Sequence, residues 1–279
     1  MKNILIAAAL SCASVTASAQ NPDFYIYLCL GQSNMEGNAR VEAEDTVNVP
    51  ERFKVMSTVD FENPVRVKGE WYTAVPPLVR QYTGLTPMDY FGRTMVANLP
   101  ENVTVGVVPV AIGGCKIEHL SKDWDVADLD KEPGWLQNFM NAYDKEPYRR
   151  LLECARLAQK DGVIKGILLH QGESNNGDSL WCEKVTKLYN DLLADLNLNA
   201  EDVPLLAGEV VSTEMGGVCG AMNGTIAQLP AYIPNAHVIS SAELPQRGDG
   251  LHFVADSYRK LGNRYAVTML NLMGVTNPK

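Results

Sequence analysis

Serine, histidine and carboxylate residues occur in this sequence in positions that could together hydrolyse an ester. A serine becomes a nucleophile when a base lies within hydrogen-bonding distance, a third group orients that base, and donors face the developing oxyanion. Ser33 follows the apolar run Tyr25–Leu30 and lies between Gly31 and Gly37. We expect a buried strand to end there in a tight turn that exposes the hydroxyl at the carboxyl edge of a sheet. The alternative is an ordinary turn in which Ser33 caps a short helix.

Four histidines are available as the base. His252 is the strongest candidate because it ends a Gly-rich segment before the last predicted helix, with Asp249 three residues upstream. At that spacing the carboxylate can fold back onto the imidazole and fix its tautomer and orientation. A solvated turn is the alternative interpretation of this spacing. His119 in a loop and His170 at a strand end are weaker candidates, and His237 lies in an alternating strand pattern typical of a structural residue.

Four motifs of the chain resemble those of one hydrolase family. In chain order they are Gly-Gln-Ser-Asn-Met at 31–35, Val-Pro-Val-Ala-Ile-Gly-Gly at 108–114, His-Gln-Gly-Glu-Ser at 170–174 and Asp-Gly-Leu-His at 249–252. Their order and spacing resemble the SGNH hydrolases, specifically the sialate O-acetylesterase and acetylxylan esterase branch. The resemblance covers nearly all of the chain after residue 19, and the combination is far more specific than any single motif.

The resemblance implies a role for the reactive residues. Ser33 would be the nucleophile, His252 the general base and then the general acid, and Asp249 the residue that orients His252. Glu173 is a second candidate for the triad acid, because the glutamate of the His-Gln-Gly-Glu motif has also been given that role in this branch. The sequence leaves open whether Glu173 pairs with His252 or steadies its own turn.

The same resemblance implies an oxyanion hole. Its donors would be the backbone N–H groups of Ser33 and of Gly113 or Gly114, together with the side-chain amide of Gln171. We also expect a set of polar and aromatic residues near these motifs to contact the substrate: Gln32, Asn34, Trp71 and Asn175.

Some positions depart from the pattern of this branch. Cys115 stands where a small hydroxyl residue is usual, Glu118-His119-Leu120 stands where Glu-Trp is usual, and Asn175 stands where Asp is common. These departures concern the shape of the acyl and sugar pockets and remove no proposed catalytic group. Aromatic residues of the predicted loops could stack on sugar rings or simply pack the loops: Trp71, Tyr72, Trp124 and Trp135.

Strands and helices are predicted to alternate along the chain. Hydrophobic periodicity predicts strands at 25–30, 53–57, 103–112, 163–169, 204–211 and 237–240, and helices at 88–99, 148–159, about 180–196 and 253–273. The segments 60–86 and 116–147 are predicted to be loops. This alternation predicts a single three-layer α/β/α domain with a central, mostly parallel sheet, and the resemblance implies the same SGNH, flavodoxin-like fold. Three predicted strands end in the motif clusters, which would therefore share one edge of the sheet.

The amino terminus indicates export. Lys2 is followed by an apolar run at 4–10 and by Ala17-Ser18-Ala19, a pattern typical of a signal peptide over residues 1–19 that is cleaved after Ala19. The apolar run is too short to span a membrane. A lipid anchor at Cys12 is a less favoured alternative. We therefore expect residues 20–279 to form an SGNH-type esterase domain that is secreted or periplasmic.

Composition excludes several classes of partner and site. The net charge is −9, which makes nucleic acid an unsuitable partner. The five cysteines after residue 19 have no C-x-x-C spacing, so neither a zinc site nor a disulfide framework is predicted. We expect no metal and no cofactor. The sequence predicts neither the oligomeric state nor whether any disulfide forms.

These observations favour a carbohydrate O-acetylesterase that uses a Ser-His-Asp triad. Within that class the sialate 9-O-acetyl type is favoured, and an acetylxylan esterase acting on plant polysaccharide is the alternative. From a different class, the alternative is a non-catalytic carbohydrate-binding protein on an esterase scaffold, which the intact Ser33, Gln171, Asp249 and His252 argue against.

Overall fold

The computed structural model describes residues 20–278. The signal peptide predicted for residues 1–19 and the alternative lipid anchor at Cys12 lie outside the described residues. Within the range that the structure covers, no helix is both long and apolar enough to cross a membrane.

A seven-stranded sheet lies at the centre of the fold. Its strand order is β5-β2-β6-β1-β7-β8-β9, and a separate two-stranded hairpin contains β3 and β4. Every pair of neighbours in the large sheet is parallel except β2 and β5, which are antiparallel. Within residues 20–278 the strands are β1 (Phe24–Gly31), β2 (Phe53–Met56), β3 (Phe61–Glu62), β4 (Val65–Arg66), β5 (Trp71–Thr73), β6 (Thr104–Ala111), β7 (Val163–His170), β8 (Leu205–Gly208) and β9 (Ala236–Ile239).

Helices cover both faces of this sheet. The α-helices of the described part of the chain are α1 (Ser33–Glu36), α2 (Ala43–Thr46), α3 (Pro87–Asn98), α4 (Gly134–Asn141), α5 (Pro147–Asp161), α6 (Trp181–Leu196), α7 (Asn223–Ile226), α8 (Leu229–Tyr232) and α9 (Ala255–Leu272). Helices α3 and α9 pack together on one face, and α5 and α6 cover the other. This arrangement confirms the predicted three-layer α/β/α fold.

The side chains of β1 alternate between the two cores that flank the sheet. Ile26, Leu28 and Leu30 belong to the core beneath α5 and α6. Tyr27 and Cys29 belong to the core beneath α3 and α9. Successive strand residues point to opposite faces, so a strand that is covered on both sides must be apolar at every position. This is why the run after Phe24 lacks polar side chains.

The crevice of the fold opens at the carboxyl end of β1. Gly31 pairs with Ala111 of β6 on one side and with His170 of β7 on the other. Since the chain leaves β1 toward one side of the sheet and later returns to the other, ligands are expected at this switch point. A Cβ on Gly31, whose φ is +155°, would lie 2.1 Å from the carbonyl oxygen of His170, so only glycine fits there.

Several short elements differ from the sequence predictions. The strand predicted at 53–57 is β2, and β5, which was not predicted, pairs along its outer side. The predicted loop 60–86 contains β3, β4 and β5, and the predicted loop 116–147 contains α4. Strands of two or three residues are too short for an alternating pattern to reveal them, and tertiary contacts decide their formation.

Candidate active site

Ser33 lies at the carboxyl edge of the sheet, at the first position of α1. Gln32 occupies the N-cap position of that helix, so the alternative in which Ser33 is the cap is wrong. The Ser33 residue is 8% exposed, and its Oγ lies 2.8 Å from Nε2 of His252. The end of the first strand and the loop before the last helix therefore meet at one hydrogen bond.

Asp249 orients the ring of His252. Its Oδ2 lies 2.7 Å from Nδ1 of His252, and since an ionised carboxylate only accepts, Nδ1 carries the proton and Nε2 is left to accept from Ser33. Burial alone would raise the pKa of the Asp249 carboxyl. Hydrogen bonds outweigh burial and hold this pKa well below its usual range; they come from the His252 ring, from the backbone N–H groups of His252 and Leu251, and from Arg247.

The other three histidines lie elsewhere. His170 is fully buried, its Nε2 lies 3.0 Å from the carbonyl oxygen of Glu209, and burial lowers its pKa to about 4. Nδ1 of His119 accepts from the backbone N–H of Lys116 at 3.0 Å. His237 lies on β9, as its strand pattern predicted. None of the three hydrogen-bonds to Ser33, and among the described residues His252 is the histidine that does.

Glu173 contacts Asn34 and has no hydrogen bond to His252. Its Oε1 accepts from Nδ2 of Asn34 at 2.5 Å, and its buried Oε2 has no partner among the described residues. The same Asn34 nitrogen donates to the carbonyl oxygen of Leu251 at 2.9 Å. Burial raises the pKa of Glu173 to about 7. Glu173 thus reaches the loop of His252 only through Asn34.

The two glycines after β6 differ in their availability as oxyanion donors. The backbone N–H of Gly113 donates to Oε2 of Glu36 at 3.0 Å and is therefore occupied. Within residues 20–278, no acceptor contacts the N–H groups of Gly114 and Ser33. Of the two candidates, Gly114 is the one whose N–H is free to meet an oxyanion.

Gln171 has a different environment from the one that the resemblance implied. Its Nε2 lies 2.7 Å from Oδ1 of Asn175 and 3.1 Å from Oε1 of Gln32, and its Oε1 accepts from Nε1 of Trp181 at 2.6 Å. The residue is 1% exposed. Both amide protons of Gln171 have acceptors, so its side chain links β7 to the neighbouring turns and does not supply a free oxyanion donor.

Three of the expected substrate contacts are buried. Gln32, Asn34 and Asn175 are at most 6% exposed. Oε1 of Gln32 faces the backbone N–H groups of Gly172 and Ser174, and Oδ1 of Asn34 accepts from the Tyr258 hydroxyl at 2.6 Å. The polar atoms of these residues thus hold the loops around Ser33 in place, and the expectation that they touch substrate does not fit.

Trp71 lies at the opposite edge of the sheet, against the amino end of β1. Its ring centroid is 4.8 Å from that of Phe24, and its Nε1 donates to Asp161 at 2.9 Å. Ser33 lies beyond the other end of β1, which at the usual rise per residue is roughly 20 Å away. The expectation that Trp71 contacts substrate does not fit, because its indole packs against Phe24 and Gly106 near the amino end of β1, away from the crevice.

Two charged residues at the site had no predicted role. Glu36 is 5% exposed and pairs with Arg80, whose Nε lies 2.9 Å from Oε1. Burial raises the pKa of Glu36, although the charge of Arg80 and the N–H of Gly113 oppose this. Glu36 is the one charged residue of the segment Gly-Gln-Ser-Asn-Met-Glu-Gly, and this was the signal in the sequence that could have identified it.

The arrangement has the parts required for attack by a serine on an ester. Nε2 of His252 can take the proton of Ser33, Asp249 can stabilise the imidazolium, and free N–H groups of Ser33 and Gly114 can face an oxyanion. In the described chain no group of three or more His, Cys, Asp or Glu side chains could hold a metal ion. The five cysteines of residues 20–278 are unpaired.

Comparison with known proteins gives one family match. A family model described as "SASA: Carbohydrate esterase, sialic acid-specific acetylesterase" matches residues 23–271. This match confirms the resemblance that the four motifs indicated.

Solved structures show the same fold. A protein from Arabidopsis thaliana is 22% identical, covers 90% of this chain and 99% of its own, and has a TM-score of 0.68. NanS is 17% identical, with coverages of 92% and 99% and a TM-score of 0.66. A carbohydrate acetylesterase from Xanthomonas citri is 18% identical, with a TM-score of 0.62, and the match covers 88% of this chain and 56% of that one. At these identities the comparisons show that the fold is shared.

Proposed function

Because this chain belongs to the family of sialic acid-specific carbohydrate esterases, and is thus a serine-type carboxylic ester hydrolase acting as a carbohydrate acetylesterase, we propose that it removes 9-O-acetyl groups from sialic acids. The proposal assigns the chemistry to Ser33, His252 and Asp249. The observation that carries it is the unbroken line of hydrogen bonds from Ser33 Oγ through the His252 ring to Asp249 Oδ2, at 2.8 and 2.7 Å.

The first half of the reaction acylates the serine. Oγ of Ser33 attacks the acetyl carbonyl carbon while Nε2 of His252 takes its proton, and Asp249 stabilises the imidazolium. The carbonyl oxygen becomes an oxyanion that accepts from the N–H groups of Ser33 and Gly114. When the tetrahedral intermediate collapses, the bond to the sugar oxygen breaks and His252 returns the proton to that oxygen. The free sugar leaves, and the acetyl group remains on Ser33.

The second half reverses these roles with water. Nε2 of His252 takes a proton from a water molecule, whose oxygen attacks the acetyl-enzyme carbonyl. The same N–H groups stabilise the second oxyanion. On collapse, the proton returns to Oγ of Ser33 and acetic acid is released, which ionises at neutral pH. No oxidant, reductant or cofactor is required to balance either step.

An exposed guanidinium next to the triad favours an anionic sugar. The side chain of Arg247 is 45% exposed, and its Nε donates to Oδ2 of Asp249 at 2.7 Å. Its Nη2 lies 3.3 Å from Nδ1 of His252, which already carries a proton and cannot accept. Nη2 is therefore available to an incoming anion. Sialic acids carry a carboxylate and the xylan backbone does not, so this position supports a sialoside substrate.

Acetate release distinguishes the two sugar classes. We expect a higher kcat/KM for 9-O-acetylated sialosides than for acetylated xylo-oligosaccharides of similar size. The reverse order would identify an acetylxylan esterase. Regiochemistry is read by NMR of the sialoside, in which loss of the 9-O-acetyl signal before any other is the expected result.

The role of Ser33 is tested with the same substrates. Ser33→Ala should abolish acetate release, a loss of several powers of ten, while circular dichroism and thermal midpoint stay close to those of the unmodified chain. A serine-directed fluorophosphonate should label the unmodified chain and leave Ser33→Ala unlabelled. A wild-type chain that binds these sugars but neither reacts with the probe nor releases acetate would be a binding protein on an esterase scaffold.

We also propose that the enzyme is secreted or periplasmic and that residues 20–279 form its mature esterase domain. The pattern of residues 1–19 supports this. Amino-terminal sequencing of protein recovered from cell fractions should begin at Gln20. A lipid-modified amino terminus at Cys12 would instead support the anchored form.

A further inference from the structure

One tryptophan of this chain is open to solvent and next to the reactive groups. The indole N–H groups of the other three have acceptors inside the protein: Trp71 donates to Asp161, Trp124 to Lys145 and Trp181 to Gln171. Trp135 is 51% exposed, and among the described residues its Nε1 has no hydrogen-bond acceptor. An indole with an open face and an unused donor is suited to hold a ligand.

Trp135 lies directly against Gly114, the glycine that we propose as an oxyanion donor. A Cβ on Gly114 would lie 2.3 Å from Cη2 and 2.6 Å from Cζ3 of Trp135, so the indole touches the main chain there. Gly114 has a φ of +73°, a conformation that favours glycine in any case. The turn that carries Gly114 is fixed beside Ser33, because the N–H of Ile112 donates to the carbonyl oxygen of Gly31 at 3.0 Å.

A continuous set of contacts connects the indole to the oxyanion turn from its other side. The rings of Trp135 and Phe139 lie edge to face with centroids 6.0 Å apart. The Arg80 guanidinium stacks 4.5 Å above the Phe139 ring and pairs with Glu36, which accepts from the N–H of Gly113. The position of the indole is therefore set by the same residues that set the glycine turn.

We propose that the exposed face of Trp135 is the platform on which the sugar ring bearing the scissile acetyl group stacks. The inference rests on the proposed esterase function and adds a binding subsite to it. The C–H groups on one face of a pyranose ring complement the electron-rich face of an indole. An acetyl ester on a ring held there points across Gly114 toward Ser33, and the indole N–H can donate to a sugar hydroxyl.

This location makes a prediction that a general packing role would not. A platform for the sugar contributes only when the substrate has a sugar. An aryl acetate such as 4-nitrophenyl acetate presents the same acetyl group to Ser33 without a pyranose ring. Loss of the platform should therefore raise the KM for an acetylated sugar and leave the aryl acetate reaction nearly unchanged.

The experiment uses two variants of Trp135 and one control variant, Trp71→Phe. Trp135→Ala should raise the KM for acetylated sugars at least about tenfold, which corresponds to about 1.4 kcal/mol of binding. Its kcat/KM for 4-nitrophenyl acetate should stay within about twofold of the unmodified enzyme. Deacetylated sugar should quench the intrinsic fluorescence of the unmodified enzyme and of Trp71→Phe, which loses an indole at the far edge of the sheet. Trp135→Phe should lose that quenching.

The outcomes separate this inference from the function on which it rests. An unchanged KM for acetylated sugars in Trp135→Ala overturns the platform. An equal loss of kcat/KM on sugar acetates and aryl acetates also overturns it, because the indole would then only support the turn of Gly114. If the unmodified chain releases no acetate from any sugar but the quenching still depends on Trp135, the esterase proposal fails and the platform stands.

Discussion

Asp249 holds His252 at two points. Its Oδ2 accepts from the ring Nδ1 at 2.7 Å, and its Oδ1 accepts from the backbone N–H of the same histidine at 2.8 Å. One carboxylate therefore sets both the path of the chain at His252 and the tautomer of its ring. Glu173, the other candidate for this role, is bonded to Asn34 instead.

Asp249→Asn should lower kcat by about a thousandfold or more, because the amide nitrogen would face Nδ1 and favour the wrong tautomer. The amide oxygen can still accept from the backbone, so the thermal midpoint should change little. Asp256→Asn, at an exposed carboxylate that pairs with Lys260 on α9, is the matched control and should leave kcat unchanged. If Asp249→Asn lowered kcat only mildly, Asp249 would not be the triad acid.

Glu173→Gln should change the pH dependence of stability more than it changes catalysis. The pKa of Glu173 rises from 4.5 to about 7 in the folded chain. The folded state thus holds a proton that the unfolded state releases, so this group stabilises the fold fully below about pH 4.5 and that contribution is lost as the pH rises through 7. Over this pH range the contribution of Glu173 to the free energy of unfolding falls by on the order of 3 kcal/mol.

Urea unfolding between pH 5 and 8 measures this. The unmodified protein should lose more stability over that range than Glu173→Gln, since a glutamine does not titrate and its amide oxygen can still accept from Asn34. Asp89, whose pKa burial raises to about 7, contributes the same trend in both proteins. A Glu173→Gln variant with normal stability and no turnover would transfer the triad role to Glu173.

Glu36→Ala should reduce both stability and turnover. The variant leaves Arg80, whose side chain is 16% exposed, without its counterion, and removing one partner of a buried ion pair costs about 3–5 kcal/mol. It also removes the acceptor of the Gly113 N–H, so the turn that presents Gly114 is less well held and kcat should fall by up to about a hundredfold.

A second substitution separates these two effects. Adding Arg80→Met to Glu36→Ala removes the unpaired charge and should recover part of the thermal midpoint, with kcat still low. A wild-type kcat in either variant would show that Glu36 does not position the glycine turn.

Gln171→Ala distinguishes a structural amide from an oxyanion donor. Trp181 would lose the acceptor of its buried N–H, and an unsatisfied buried group costs about 1–3 kcal/mol, so the thermal midpoint should fall. An oxyanion donor would instead cost roughly two to three powers of ten in kcat without a change of stability. Gln228→Ala, at an exposed glutamine on a surface helix turn, is the control for the loss of an amide.

EDTA should leave acetate release unchanged. Both ring nitrogens of His252 are used, one by Ser33 and one by Asp249, so neither is free as a ligand. Activity before and after dialysis against the chelator measures this, with added zinc as the control. Loss on chelation and recovery with zinc would favour a metal-assisted deacetylase.

The long elements were predictable from the sequence because each has a hydrophobic pattern of its own, a continuous run in a strand or a period in a helix. β1, β6 and β7 are eight-residue strands buried on both faces, so each appears in the sequence as a continuous apolar run. β5 and α4 were not predicted, because β5 has only three residues and α4 begins at an irregular Pro-Gly, so neither shows a hydrophobic period. Their formation depends on a neighbour that is distant in the sequence.

The site was predictable only as far as its motifs are local. Asp249 and His252 are three residues apart, so their contact follows from a turn. The bond between Glu36 and Gly113 joins residues 77 apart, and no spacing rule reveals it. The hydrogen bonds of Gln171 could not be predicted for the same reason, since Trp181 and Asn175 contact its amide only once the loops are folded.

Ser33 and His252 lie 219 residues apart, one just after β1 and the other just before α9. A nascent chain therefore cannot hydrolyse esters until α9 has been synthesised and has docked on α3. Contacts of such long sequence separation form late, because the intervening chain must first be ordered. During refolding, the return of esterase activity should thus trail the return of tryptophan fluorescence, and enzymatic turnover reports completion of the whole fold.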